Sequence, residues 1–398
     1  MSRPVLRDVF IAGAARTPIG RFCGGLSTIP ATLLGALAIG AAVERAGVAG
    51  REVDYVVMGN MLSAGLGQTP ARQAAIKAGI LESVSALTIN KACASGLWAV
   101  VLAAQAIQLG DAEMVVAGGM ESMSRAPHLL LNSRTGQRMG DARLLDHMVH
   151  DGLWCPFEDR PMGAAAETIA ELYGLTRSDQ DEFALRSHRL AGAAVDDGRF
   201  DPEIVPVEVE AGPGKTRTVS RDEGPRRDTS AERLAALRPA FPPGESVTAG
   251  NSSQISDGAA AVVVMSGEKA RSPAIEPVAR IVGYAHAANN PAMLFDAPRS
   301  AVARLLERTG ERLEAFDLIE ANEAFAAQVL ANGQALGWDW DRVNTRGGAI
   351  ALGHPIGASG ARILVTLLQG LRERGGRHGL AVICHGGGGA VAMSVETA

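Results

Sequence analysis

The chain has few cysteines, no charge bias and no long charged run. It has four cysteines in 398 residues: Cys23, Cys93, Cys155 and Cys384. None stands in a Cys-x-x-Cys pair or a Cys/His framework, which argues against a zinc ribbon or a disulfide scaffold. It predicts no bound metal and a reducing, cytoplasmic setting. A net charge of −5 and a pI near 6.0 give no electrostatic reason to expect nucleic acid or an anionic membrane as partner. Met1 to Thr17 lacks the charged head, apolar middle and cleavage site of a signal peptide. Between Arg21 and Glu44 nothing is charged, but four glycines, a proline and three Ser/Thr leave too short an apolar run for a membrane span. A loop leading into a buried helix is expected there.

What remains is ordinary for a globular enzyme with roughly two to three domains' worth of core. Short β-rich runs alternate with helical patterns. Strands are expected at Val9–Ala12 (ending at Gly13), Tyr55–Met58 and Met114–Ala117, the last closed by Gly118-Gly119. Helices are expected over Thr32–Ala46 and Pro70–Ala78. This alternation predicts an α/β layer with a mostly parallel sheet. From about Ser122 to Thr248 charged residues, Pro and Gly become common, with a helix expected over Tyr173–Asp197 and a strand over Pro202–Glu210. Such an insertion suits substrate binding or subunit contacts. The first pattern then returns, with strands at Ala259–Met265 and Val278–Val282 and helices at Ser300–Thr309 and Ser359–Arg374. Asp317–Ala321 echoes Asp54–Met58, and Leu380–Cys384 echoes Ala112–Val116, as if one βα module were present twice.

Two motifs are decoys. Gly214-Lys215-Thr216 resembles the end of a phosphate loop, but Val209 stands where that motif needs glycine. His147 and His150 have helical spacing without a third ligand, and solvated side chains are expected. More informative is Thr88-Ile89-Asn90-Lys91-Ala92-Cys93-Ala94-Ser95-Gly96, a strand ending in a turn with Cys93 at the mouth of a helix. The unpaired N–H groups and dipole there favour thiolate over thiol. A cysteine so placed is either a nucleophile or simply core. Asn322-Glu323-Ala324-Phe325 follows an apolar strand. Gly347 to Gly360 sets His354-Pro355 among five glycines, a segment in which backbone can approach a ligand closely. Cys384-His385-Gly386 opens a strand end onto glycines whose N–H groups could bind an oxyanion. Together these supply a nucleophile, a base, a second thiol, an amide and backbone donors at the C-terminal ends of strands, where open α/β sheets place ligands. That combination points to acyl transfer through a thioester.

On these segments, together with Arg16-Thr17-Pro18-Ile19-Gly20 and Gly118-Gly119-Met120-Glu121-Ser122-Met123-Ser124, the chain resembles the thiolase family nearly end to end. The resemblance implies a duplicated α/β fold layered αβαβα with an inserted loop domain. The N-terminal half would comprise residues 1–121 and 249–274, the loop domain 122–248 and the C-terminal half 275–398. It also implies a CoA-dependent acyl-CoA C-acyltransferase that cleaves 3-ketoacyl-CoA or condenses acetyl-CoA. Cys93 would carry the acyl group, and His354 would activate it. Asn322 would hold a water beside His354, and Cys384 would handle the α-carbon proton. The N–H groups of Cys93 and Gly386 would form a second oxyanion site. Coenzyme A is then substrate rather than resident cofactor, its groove lined by Leu153, Met162, Arg226, Phe241, Ala249, Ser253 and Ala324.

Several positions depart from the family pattern. Pro161 stands where short-chain biosynthetic members carry His, as in degradative 3-ketoacyl-CoA thiolases. Leu294-Phe295-Asp296-Ala297-Pro298 replaces Met-Gly-x-Gly-Pro near the acyl pocket. His385, next to Cys384 on a strand, should point away from the acyl centre. Asn132 to Met148 resembles the loop through which tetrameric members associate, so a homotetramer, or else a homodimer, is expected. Two other readings share the fold: a decarboxylating ketosynthase, which usually has two histidines around one cysteine, and a non-catalytic acyl-CoA-binding scaffold.

Overall fold

A computed structural model describes residues 6–398; the first five residues of the expected N-terminal half lie outside it. In chain order the framework elements begin with β1 (Val9–Arg16), α1 (Ala31–Arg45), β2 (Tyr55–Gly59), α2 (Pro70–Lys77), β3 (Ser85–Ile89), α3 (Ser95–Leu109) and β4 (Met114–Ser122). Within the insertion lie α4 (Met162–Tyr173) and α5 (Arg177–Asp196). The framework resumes with β5 (Ser256–Ser266), β6 (Ala279–Ala288), α6 (Ala297–Thr309), β7 (Leu318–Ala321) and α7 (Ala326–Leu336). It ends with α8 (Ser359–Arg374), β8 (His378–His385) and β9 (Gly389–Thr397).

The strands run in the order β7-β8-β9-β6-β1-β5-β4-β2-β3, with Gly20–Arg21 added beside β5. This corrects the mostly parallel expectation. β7 with β8, β2 with β4 and β2 with β3 are parallel, and the other five pairings are antiparallel. Buried runs of Val and Ala suit either arrangement, so composition could not separate them. The order repeats itself: β2, β4, β5, β1 on one side match β7, β8, β9, β6 on the other, so the echoes read in the sequence occupy equivalent places. The two sheets meet at β1 and β6 through only two register pairs, Phe10 with Arg280 and Ile11 with Ala279.

Alternation along the strands builds the layers. On β2, Val57 faces α3 and α8 in a central core, whereas Val56 and Met58 face α1 and α2. On β8, Ala381 and Ile383 face the central core, whereas Leu380 and Val382 face α6 and α7. The result is the αβαβα stack, with α3 and α8 sandwiched between sheets. Ala92–Leu109 is long and apolar enough to cross a membrane by composition, and here that apolarity is spent on the central core. α3 and α8 meet closely at their first turns. A side chain on Gly96 would come within 2.8 Å of the Ala361 nitrogen, and one on Gly360 within 2.5 Å of the Leu97 nitrogen.

Several boundaries differ from the sequence reading. β4 does not stop at Gly118-Gly119 but runs to Ser122, because the glycines serve close packing: a Cβ on Gly119 would lie 2.0 Å from the Gly357 carbonyl oxygen. The helix expected over Tyr173–Asp197 is α5, which starts only at Arg177; Tyr173 instead ends α4, a helix the sequence did not suggest, closed by Gly174 at φ +63°. The strand expected from Pro202 begins only at Val207, in a hairpin with Thr216–Val219. α6 starts three residues earlier than expected, with Pro298 in its first turn. The insertion is tied to β1 by fully buried Arg16, whose guanidinium donates to Glu203 at 2.6 Å and to both oxygens of Asp222 at 2.7 and 2.9 Å.

Candidate active site

β3 ends at Ile89, and the chain then turns sharply into α3. Ala92 sits at φ +46°, a left-handed conformation that costs a non-glycine residue about 1 kcal/mol or more. Local hydrogen bonds hold it there. Asn90 Oδ1 accepts from the Ala92 N–H at 2.9 Å, while Ser95 Oγ accepts from the Lys91 N–H at 2.8 Å and donates to the Ala92 carbonyl at 2.6 Å. This turn presents Cys93 at the head of α3. In the other half, His354 lies on the turn before α8, and Cys384 near the end of β8.

Cys93, His354, Cys384 and Gly386 border one cavity of about 540 Å³. The N–H groups of Gly386 and of Cys93 itself face the Cys93 sulfur. Leu153, Met162, Phe241, Ser253 and Ala324 line the same cavity. Arg226 and Ala249 are not among its lining residues. Both are exposed, and the Arg226 backbone N–H donates to His188 Nδ1. Asn322 is fully buried behind the wall, its main-chain N–H bonded to Val382 and its carboxamide without a partner in the protein. His385 borders the cavity rather than standing clear of it. Its ring folds over Gly389, with Nδ1 2.7 Å from the Gly386 carbonyl, because β8 ends in a tight turn here and strict alternation no longer applies. His147, expected in solvent, is instead buried against Asp151, while His150 is exposed.

The electrostatics differ from the expectation at the helix mouth. Burial pushes the Cys93 thiol up to about 11, outweighing the N–H groups of Gly386 and Cys93, which pull the other way. Burial likewise holds the Cys384 thiol well above its ordinary value, with Cys93 adding to the shift. Burial also pushes His354 down to about 3, aided by the positive charge of Arg362. The resting site therefore holds a neutral imidazole and two protonated thiols, since removing charge from water costs more than one helix end returns. The imidazole lone pair stays available until the pH falls towards that low value.

Which nitrogen carries that lone pair is fixed by Ser359 at the start of α8. Its Oγ donates to the Pro355 carbonyl at 2.9 Å and so accepts from His354 Nδ1–H at 2.6 Å. Nε2 is left as the open acceptor. Ser359→Ala is expected to lower the acylation rate by roughly 1.5–3 kcal/mol, about ten- to a hundredfold, with little change in KM. Nitrogen-15 shifts of the His354 ring should show the Nε2–H tautomer gaining population, and Ser359→Thr should restore rate and tautomer. An unchanged tautomer would remove Ser359 from this role.

Two buried carboxylates escaped the sequence reading. Glu121, at the end of β4, accepts from Asn60 Nδ2 and from the N–H groups of Met61, Leu62 and Gly357. It thereby clamps the loop after β2 to the turn carrying His354, and burial raises its pKa to about 7. Glu323 accepts from Ser187, Asn344 and the Ile350 N–H, fixing the glycine-rich segment ahead of His354. Their signal was present, a charged residue inside each apolar motif, but nothing in the sequence told a loop clamp from a reactive group.

Comparison with known proteins gives the same picture over the whole chain. Residues 9–268 match the family described as "Thiolase, N-terminal domain" and residues 275–397 match "Thiolase, C-terminal domain". A probable acetyl-CoA acetyltransferase of Escherichia coli (strain K12) is 54% identical, covering 98% of this chain and 99% of that protein. An acetyl-CoA acetyltransferase of Pseudomonas aeruginosa is 53% identical, with the same coverage of each chain. The crystal structure of the Bacillus anthracis acetyl-CoA acetyltransferase superposes with a TM-score of 0.97 at 43% identity, covering 100% of both chains. With matched family domains, fold and full-length relatives in agreement, this chain belongs to the thiolase family.

Proposed function

We propose that this thiolase works through an acyl-enzyme on Cys93, with His354 as its base and Cys384 as the acid/base at the α-carbon. In thiolysis, His354 Nε2 takes the Cys93 proton as the sulfur attacks the 3-keto carbonyl of a 3-ketoacyl-CoA. The C2–C3 bond then breaks, and its electron pair leaves as the enolate of acetyl-CoA, which takes a proton from Cys384. Free CoA, its thiol proton taken up by Cys384, attacks the Cys93 thioester; the C–S bond to Cys93 breaks, the leaving thiolate takes back its proton from His354, and the shortened acyl-CoA departs. Condensation of two acetyl-CoA is the same path reversed. The observation that carries this reading is the convergence of two thiols and an open imidazole acceptor on one cavity.

The backbone N–H groups of Cys93 and Gly386 would stabilise the oxyanion at the acylated carbonyl, each such donor being worth about 3 kcal/mol. Buried Asn322 and His354 Nε2, both lacking protein partners, fit a second oxyanion site completed by water. The neutral cavity wall of Leu153, Met162, Phe241, Ser253 and Ala324 suits a pantetheine arm, with Arg226 outside it available to a phosphate. Residues 122–248 would form the loop domain between halves at 1–121 with 249–274 and at 275–398. This is supported by the absence of any main-sheet strand between Met123 and Ile255 among the described residues. The relatives named acetyl-CoA acetyltransferase support acetoacetyl-CoA as substrate, while Pro161 at the cavity wall keeps the degradative, β-oxidation direction in play. A cytoplasmic setting accords with the free cysteines. Purified protein given acetoacetyl-CoA and CoA should form acetyl-CoA; binding without product would leave only a scaffold.

The same reading gives a homotetramer. Met139 and Leu144 stand 94% and 59% exposed on the loop expected to join subunits, and Leu130 and Leu131 just ahead of it are exposed as well, an apolar set that a subunit contact would cover. Sedimentation at four chain masses is the expected result, and a dimer mass would overturn it.

A further inference from the structure

The cavity has two unlike ends. Its mouth is framed by Asp151 and by Phe157, which is 64% exposed, whereas Leu294 and Phe295 close the deep end at 2% and 3% exposure. Leu294 and Phe295 pack in the same apolar cluster as Cys384, so they adjoin the centre where carbon–carbon chemistry would take place. The Phe295 ring meets Phe325 edge-to-face at 5.3 Å between centroids, and Phe325 meets Phe241 in the same way at 6.3 Å. Three rings thus make one continuous wall.

That wall is anchored. The Phe295 carbonyl accepts from Asn332 Nδ2 at 2.7 Å. The next residue, Asp296, accepts from the Tyr173 hydroxyl at 2.7 Å and from Arg299 at 2.7 and 3.0 Å. A ring held through its own backbone and through its neighbour cannot move aside cheaply, and forcing extra methylenes against a packed wall is penalised.

We propose that Phe295 sets the length limit of the acyl group, its ring meeting the terminal carbons and confining the enzyme to short 3-ketoacyl chains. This rests on the Cys93 acyl-enzyme reading and goes beyond it by naming the residue that selects the substrate. An acetyl group fits in front of the ring, and each further methylene presses on it. A pocket discriminates about 10- to 200-fold per methylene when the wall is rigid.

The test measures kcat/KM for thiolysis of acetoacetyl-CoA, 3-ketohexanoyl-CoA, 3-ketooctanoyl-CoA and 2-methylacetoacetyl-CoA by the full-length protein and by Phe295→Leu and Phe295→Ala. The native protein should lose activity as the chain lengthens. In Phe295→Ala the ratio of 3-ketohexanoyl- to acetoacetyl-CoA should rise at least about tenfold, with a smaller rise in Phe295→Leu. The leucine variant also carries the test should the alanine variant fold poorly. Unchanged ratios, or a gain confined to the 2-methyl substrate, would overturn the proposal. Failure of the acyl-enzyme reading would look different, as native protein that no substrate acylates at Cys93.

Discussion

Cys93→Ala is expected to abolish acylation and to reduce turnover by at least about four orders of magnitude. The size follows from the path: without a sulfur at the head of α3 there is no atom to hold the acyl group between the two half-reactions. The change should not disturb the fold. Cys93 borders the cavity, and the turn that presents it is held by Asn90 and Ser95 rather than by the thiol. Mass spectrometry after exposure to acetyl-CoA should find one acetyl group on the native protein and none on the variant, at an unchanged melting temperature. An acetylated variant with residual turnover would move the nucleophile elsewhere.

The second large effect separates the two thiols. Cys384→Ala should still become acylated at Cys93, yet lose condensation and thiolysis by about a thousandfold or more, in the range of a missing acid/base group. Cys384 is 1% exposed among apolar neighbours, including Leu294 and Ala324, so alanine removes the sulfur without leaving a polar group unpaired. Burial raises both thiols, and the charge a Cys93 thiolate would carry raises Cys384 further, so two thiolates at once are disfavoured. The two sulfurs must therefore ionise in turn, and each variant should silence a different step. Near-normal condensation in Cys384→Ala would refute this division of labour.

The fold was legible where periodicity was strong. α8 was placed at its exact bounds, and the β2/β7 and β4/β8 echoes correspond to equivalent strands. Strand direction was not legible, because valine and alanine runs such as Val262-Val263-Val264 bury equally well in parallel and antiparallel pairs. The segments that border the cavity were recognisable because glycine, histidine and cysteine cluster in them. The ionisation of Cys93 was misjudged for a physical reason. A helix end is visible in sequence, but the depth of burial that overrides it depends on α8, β8 and the insertion, all distant in the chain. Glu121 and Glu323 were hidden for the same reason, since their partners lie on other loops. Of the seven residues expected to contact CoA, five line the cavity, while Arg226 in the insertion and Ala249 just after it are exposed.

The seam between the sheets also dictates when the chain becomes dangerous to itself. Synthesis proceeds from the N-terminus, so Cys93 is made long before His354, Cys384 or Gly386 exists. Even the first sheet must wait for β5, which lies between β1 and β4 and pairs with both. Throughout that interval Cys93 is a thiol with neither base nor oxyanion donors from the second half, and it has no means of hoarding acyl groups. On the proposed mechanism, Cys93 would meet its base only once α3 and α8 pack together at Gly96 and Gly360. Bringing the two halves together is thus also what would complete the proposed site.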